Sequence, residues 1–268
     1  VVQTPLMNVM TAAAIKAGKG LMRDFGELDQ LHISKKGTAN FVTAADTRTE
    51  KLLQKELSKA RPDFGFLLEE GGEVAGKNST HRWIIDPLDG TTNFIHAVPY
   101  FCISIALEMR DHTGRSEILA GVIFDPNHNE LFTAEKGKGA TVNNRRLTVS
   151  ARDRLEDSML VTGALRFSPN SDKTAFQMCD KAVQNGATLR AFGATALDLA
   201  NLAAGRLDAC WYAQIQPWDI AAGLLILQEA GGHATDLTGA AATPYSSTLL
   251  ATNRHLHPSM QSLLAKAA

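Results

Sequence analysis

The chain of 268 residues lacks a long apolar run; its most apolar stretch, Ile220 to Leu227, is too short to cross a bilayer. It also lacks a dominant charge. With 27 basic and 28 acidic residues and a net charge of −1, bulk attraction to nucleic acid or to an anionic membrane is not expected. Cysteine is scarce: Cys102, Cys179 and Cys210 are odd in number, show no close pairing and stand in no metal or nucleophile spacing with a histidine. That usage fits a reducing compartment, and a cytoplasmic protein is expected. The N-terminus has no basic stretch leading into an apolar one, because Lys16 and Lys19 interrupt the first helical pattern. Neither a Gly-x-Gly-x-x-Gly loop nor a Gly-Lys-Ser/Thr loop is present, which sets aside the common nucleotide-binding devices. The eight histidines show no ligand spacing, and His255 and His257 read as solvent-facing.

What is present can bury a large core: 44% of the residues are hydrophobic and 21% charged. Thr4-Pro5 reads as a helix start, followed by Leu6, Met10, Ala14, Ala17, Leu21 and Phe25 at helical spacing. A second helix is expected from Ala44 to a stop at Pro62. The alternation Phe101, Ile103, Ile105, Leu107 predicts a half-buried strand, and Gly121–Phe124 with Glu130–Ala134 continue a meander. Asn143-Asn144 followed by Arg145-Arg146, the densest basic spot, reads as a solvated hairpin tip. After Ser150 strands and helices alternate: strands over Met159–Thr162 and Ala187–Phe192, helices over Leu197–Ala204 and Ile220–Ala230. No repeat, low-complexity tract or long linker divides the chain. Two tightly packed lobes are expected, residues 1–150 and 151–268, in a fold of the α+β or α/β class.

The chemistry concentrates at residues 83–94, Trp-Ile-Ile-Asp-Pro-Leu-Asp-Gly-Thr-Thr-Asn-Phe. A buried-strand pattern, Trp83 to Ile85, runs into Asp86 and Asp89, and Pro87 between them restrains φ so both acids can face one side. Gly90 permits a close turn, and Thr91-Thr92 can open a helical turn whose free N–H groups attract an anion. Two hard oxygen ligands beside an anion-binding backbone are what a magnesium-dependent phosphate enzyme requires. The Leu88 carbonyl lies between the acids as a further oxygen donor. Glu69 follows an expected strand over Gly65–Leu68, and Asp219 stands at a helix start, where its charge suits the dipole. Taken singly these residues have structural readings as well. Glu69-Glu70-Gly71-Gly72 also reads as a charged loop, Asp219 as a helix-terminal acid, and Thr43-Ala44-Ala45-Asp46 as a capping box.

Residues 83–94 resemble the signature of the inositol monophosphatase family of magnesium-dependent, lithium-sensitive phosphatases. Trp218-Asp219-Ile220-Ala221-Ala222-Gly223, followed by Glu229-Ala230-Gly231-Gly232, is similar to that family's C-terminal signature. The segment from Lys36-Gly37 to Asp46 and the Glu69-Glu70 pair fall where the family has its other acids. The likeness runs from Lys36 to Asp236-Leu237-Thr238-Gly239.

The resemblance implies a layered αβαβα sandwich, with a mainly antiparallel sheet in the first lobe and a mixed sheet in the second. It implies a homodimer acting on a small phosphate ester, foremost inositol monophosphate, through two magnesium ions and a weaker third near Glu69. Glu69, Asp86 and the Leu88 carbonyl would hold one ion, and Asp86, Asp89 and Asp219 the second. Thr91 and Glu69 would orient the attacking water and take its proton, with Asp46 hydrogen-bonded to Thr91. Gly90 and Thr91 would grip the substrate's phosphate, Arg190, Gly193 and Tyr212 would meet its polyol, and Asp89 and Asp219 would also contact the substrate.

The alternatives are other substrates of the superfamily (histidinol phosphate, fructose 1,6-bisphosphate, a nucleotide phosphate) or a regulatory partner role. Arg190 also reads as a surface or subunit-contact arginine. The chain departs from the family pattern at Tyr212, where an acid is usual, at Gln216, where a basic residue or histidine is common, and at Ala97, where glycine is frequent.

Overall fold

The computed structural model describes residues 4–28, 33–37, 40–163 and 174–265. The side chain of Lys36, in the segment compared with the family, lies outside the described part.

Thr4 caps helix α1 (Pro5–Gly26): its hydroxyl accepts from the Met7 N–H at 3.3 Å, and Pro5 occupies the first turn. A short hairpin, β1 (Ile33–Gly37) and β2 (Asn40–Thr43), leads into α2 (Ala44–Ala60). The principal sheet is built from β3 (Phe64–Leu68), β4 (Gly72–Val74), β5 (Asn78–Asp89), β6 (Cys102–Arg110), β7 (Ser116–Asp125), β8 (Glu130–Glu135), β9 (Ala140–Val142) and β10 (Arg145–Arg146). Its order is β10-β9-β8-β7-β6-β5-β3-β4, and only β3 and β5 pair parallel. Helix α3 (Thr91–Ile95) interrupts it after β5. A second sheet, ordered β12-β11-β13-β15-β14, contains β11 (Met159–Thr162), β12 (Thr188–Arg190), β13 (Ala209–Tyr212), β14 (His233–Thr235) and β15 (Leu249–Thr252). It is mixed: β11 runs parallel to β12 and β13, while β15 is antiparallel to β13 and β14. Helices α4 (Thr174–Gln184), α5 (Thr195–Ala203), α6 (Pro217–Glu229) and α7 (His257–Ala265) complete the chain.

Side-chain alternation along the strands assigns each face to a layer. On β5, Trp83 and Ile85 face α1 and α2 through a core containing Met10, Leu21, Leu53 and Leu57, whereas Ile84 faces the opposite core. That central core holds α5 and α6, with Leu199, Ile220 and Ile226, and reaches Val161, Cys210 and Ala251 of the second sheet. Leu160, Trp211 and Leu250 point outward to α4 and α7. The result is the αβαβα sandwich. Small residues in the Trp218–Gly223 stretch have a packing cause. A Cβ on Gly223 would lie 2.7 Å from the Leu199 Cβ of α5, and one on Gly121 of β7 would lie 2.9 Å from the Ala222 carbonyl.

Three expectations change. Strand β6 is not half-buried: Cys102 through Glu108 are all inaccessible, because helices cover both faces of this central strand. The strand expected to end at Ile85 continues to Asp89 with an irregularity. His257 is buried, its ring nitrogens against the Thr235 hydroxyl (3.2 Å) and the Thr252 hydroxyl (2.9 Å). All three cysteines are buried and unpaired. Asn143 and Asn144 take positive φ (46° and 66°) and turn the chain into the exposed Arg145-Arg146 strand.

Candidate active site

Between Asp86 and Asp89 the pairing of β5 with β6 slips: Asp86 lies opposite Ser104, but Asp89 lies opposite Cys102. One extra residue on β5 makes a bulge, and Pro87, which has no N–H to give, falls inside it. The Leu88 N–H turns back onto the Asp86 Oδ1 at 2.9 Å, leaving the Leu88 carbonyl to accept from the Thr91 hydroxyl at 3.1 Å. Gly90 then adopts φ 96°, ψ 32°. A Cβ there would stand 2.9 Å from the Tyr100 carbonyl and 3.2 Å from the Ala194 Cβ, so glycine serves both the left-handed turn and the close approach.

Asp46 reaches the same place from the start of α2. One of its oxygens accepts from the Thr43 N–H (2.8 Å) and hydroxyl (2.5 Å), closing a capping box. The other lies 3.2 Å from the Thr91 hydroxyl. Capping and site contact thus use different oxygens of one carboxylate. Glu69 follows β3 directly, its N–H bonded to the Ile85 carbonyl at 3.2 Å. Its side chain shares a hydrogen bond with Asp86, and its Oε2 is buried without a partner. Asp219 stands in the first turn of α6 and accepts from the Gln216 N–H at 2.8 Å. Asp89 accepts from the Ala196 N–H at 2.6 Å, at the first turn of α5.

All five acids are pushed upward from the ordinary carboxylate range. Burial is the largest cause in each case. Glu69 is raised to about 7, burial being reinforced by the charges of Asp219, Glu70 and Asp46 and opposed by the hydrogen bond to Asp86. Asp219 is raised to about 6, burial outweighing the Gln216 hydrogen bond. Asp86 and Asp89 lie well above their usual value, through burial and then the charges of neighbouring carboxylates. Among the described residues, no lysine or arginine is a main influence on these five groups.

Among the described residues, no three His, Cys, Asp or Glu side chains are arranged to hold a metal ion as they stand. The donors nevertheless fit magnesium, which takes oxygen ligands and keeps several waters rather than demanding an all-protein cage. An orphaned buried oxygen on Glu69, beside Asp86, marks a cluster of acids in which no described lysine or arginine is a main electrostatic influence.

The residues expected at the polyol end are distributed differently. Gly193 (φ 85°) sits against the Asn93 side chain. Arg190 is exposed on β12, at the edge of the second sheet, and donates to the Leu189 carbonyl at 2.9 Å; no contact joins it to the acids. Tyr212 is turned inward, 4% exposed, with its hydroxyl donating to Asp198 at 2.7 Å. Its phenol is therefore committed to a buried carboxylate rather than offered to ring hydroxyls. Asp198, raised to about 7 by burial against the hydrogen bonds of Tyr100 and Tyr212, also accepts from Tyr100 at 2.6 Å. Asn93 and Asp198 lie in the segments Thr92-Asn93-Phe94 and Leu197-Asp198-Leu199-Ala200, which resemble the family, but neither is singled out by the sequence as a site residue. The available signal was an aspartate inside the apolar run Leu197-Asp198-Leu199-Ala200, a position that buries a charge and requires donors.

The family model of the inositol monophosphatase family matches residues 2–268. An inositol-1-monophosphatase of Rhizobium meliloti is 42% identical over 264 residues, covering 98% of this chain and 97% of the relative. A Nus factor SuhB of Xylella fastidiosa is 40% identical over 276 residues, covering 99% and 96% respectively. The crystal structure of extragenic suppressor protein suhB from Bartonella henselae aligns with a TM-score of 0.93 at 46% identity, covering 99% of this chain and 100% of that one. The likeness runs through every segment that contributes an acid to the cluster, and the chain belongs to the inositol monophosphatase family.

Proposed function

We propose that the chain hydrolyses a phosphate monoester with magnesium, and that inositol monophosphate is its leading substrate. One observation carries the reading: the buried carboxyl groups of Asp46, Glu69, Asp86, Asp89 and Asp219 converge with no described lysine or arginine among their main influences, beside a threonine hydroxyl within reach of Asp46 and the Leu88 carbonyl. Glu69, Asp86 and the Leu88 carbonyl would hold one ion, Asp86, Asp89 and Asp219 a second, and a third would bind more weakly near Glu69. Bound magnesium supplies Lewis-acid stabilisation of phosphoryl charge and acidifies water at neutral pH.

The chain's own groups do the rest. The Thr91 hydroxyl shares its one proton between Asp46 (3.2 Å) and the Leu88 carbonyl (3.1 Å), which leaves its oxygen lone pairs to accept from the attacking water and orient it. Glu69, placed beside Asp86 at the end of β3, takes the water's proton. The opening N–H groups of α3, which precede its first internal bond from Phe94 N–H to Gly90 carbonyl (3.0 Å), bind phosphoryl oxygens. Position and charge, not a covalent nucleophile, carry phosphoryl transfer to water.

The test is phosphate release from inositol 1-phosphate, glycerol 2-phosphate, histidinol phosphate, fructose 1,6-bisphosphate and a nucleotide monophosphate. Release should require magnesium, fall with calcium, whose longer bonds misplace the reactants, and fall with lithium. Full turnover in chelator would sink the metal assignment. A homodimer in the cytoplasm is part of the same proposal, and sedimentation equilibrium decides the first half. The likeness to a protein named Nus factor SuhB supports a second, regulatory reading that can coexist with catalysis.

A further inference from the structure

Asn93 lies three residues beyond Gly90 and takes no place in the chemistry above. Its side-chain amide donates to two carbonyls, that of Tyr100 at 2.8 Å and that of Phe192 at 2.7 Å. The first closes the loop after α3; the second crosses 99 positions of sequence to the segment entering α5. That segment, Phe192 to Ala196, is bound at its other end too, where the Ala196 N–H donates to Asp89 at 2.6 Å. Between the two anchors, Gly193 (φ 85°) rests on the Asn93 amide, and the Ala194 Cβ fits the space left by the missing side chain of Gly90. Tyr100 reinforces the junction. Its ring lies 4.9 Å from that of Phe192, and its hydroxyl reaches Asp198 one turn into α5.

From this geometry we infer that Asn93 is a positioning residue: it fastens the Phe192–Ala196 segment to the Asp89–Asn93 turn and so sets the alcohol side of the substrate pocket against the phosphate side. The pocket assignment takes up the expectation that Gly193 meets the polyol and rests on the function proposed above; the fastening itself does not. Both donors come from one NH₂ group, and an aspartate of the same shape has no N–H to give. Asn93→Asp would moreover face two carbonyl oxygens with a carboxylate. The pair Asn93→Ala and Asn93→Asp therefore separates donation from volume.

Two measurements on the full chain test the inference. In hydrogen exchange followed by mass spectrometry, both variants should lose protection selectively in peptides spanning residues 192–198, while β6 and β7 keep theirs. In steady-state hydrolysis of inositol 1-phosphate with magnesium, both variants should raise KM on the order of tenfold, the scale of two lost hydrogen bonds, with a smaller change in kcat. Asn93→Asp matching the wild type in exchange would overturn the inference, because the donors would then be dispensable. So would protection lost evenly through the chain, which marks a general structural role. If the wild type releases no phosphate from any ester, the proposed function fails, and the exchange result still decides whether Asn93 fastens the segment.

Discussion

Strands β5 and β6 bury carboxylates at both ends of their pairing, and the two ends are electrostatic opposites. At one end Glu108, fully inaccessible, lies opposite Arg82 and accepts from its Nε at 2.5 Å, with the Arg110 Nε at 3.3 Å and the hydroxyls of Ser116 and Tyr245 completing the shell. Burial pushes Glu108 up, but donors from Ser116, Tyr245 and Arg82 outweigh it and hold the group below its ordinary value. At the other end Asp86 and Asp89 meet Glu69 and Asp219, and all are pushed up. The same strand pair thus neutralises a buried acid with arginine at one end, while no described lysine or arginine is a main influence on the acids where the phosphate chemistry is proposed. A site left with surplus negative charge is unfavourable for the metal-free fold and favourable for a cation.

The largest effect expected from this contrast is on turnover. Asp89→Asn should lower kcat by a factor on the order of 10³ or more while the metal-free protein melts at the same or a higher temperature, since one of several repelling charges is gone. An asparagine oxygen can still accept from the Ala196 N–H, so α5 stays capped. Asp219→Asn should behave alike, and the double variant should lose little beyond either single one because both act through one ion. Activity within twofold of wild type, or a collapse in melting temperature, would break the comparison.

At the opposite end the outcome reverses. Glu108→Ala should leave turnover per folded molecule close to wild type but reduce unfolding free energy by about 1.5–3 kcal/mol, because Arg82 loses its buried partner and keeps only the exposed Glu73 (2.6 Å) and the Tyr245 hydroxyl. Urea unfolding beside kcat measurement distinguishes the two ends.

A pH series sharpens the difference further. Glu69 is raised from 4.5 to about 7 in the fold, so its contribution is fully present below about 4.5 and is lost as pH rises through 7. Glu108 is lowered, so its stabilisation is present at neutral pH and is lost as pH falls below its unfolded value near 4.5. His257 opposes Glu69 in the same window. Pushed down from 6.5 to about 4 by burial and His233, it removes stability as pH falls. The informative quantity is therefore the wild type minus Glu69→Gln. In metal-free protein that difference in melting temperature should shrink or reverse between pH 5 and 8, against a flat difference if Glu69 titrates normally.

The smallest effect concerns backbone alone. Ala97, just past α3, adopts φ 58°, a left-handed conformation that disfavours a Cβ. Ala97→Gly should add roughly 0.5–1 kcal/mol of stability, strain relief exceeding the entropy gained by the unfolded chain, without changing kcat. A loss of stability on denaturant unfolding would show that Ala97 is unstrained.

The fold was legible where pattern and layer agree. The helix start at Thr4-Pro5, α2 from Ala44, and the strands at Gly65–Leu68 and Met159–Thr162 lie where capping and periodicity put them, because those signals are local. Pattern misjudged β6, whose alternation of larger and smaller residues suggested one wet face; Cys102, Ser104 and Ala106 are buried as well, under α5 and α6. It also missed His257, whose neighbours Thr235 and Thr252 come from other strands.

The sequence by itself determined the family, the succession of elements, and the Asp86–Thr91 motif, since each depends on residue type at short spacing; that Asp46, Glu69 and Asp219 join it was implied by the family resemblance. Only the tertiary structure decided that Tyr212 serves Asp198, that Arg190 stands apart on a sheet edge, and that Asn93 joins segments 99 positions distant. Those outcomes depend on which faces the layers present to one another. A side chain's partner is set by packing across the sandwich, and no local spacing in the chain encodes it.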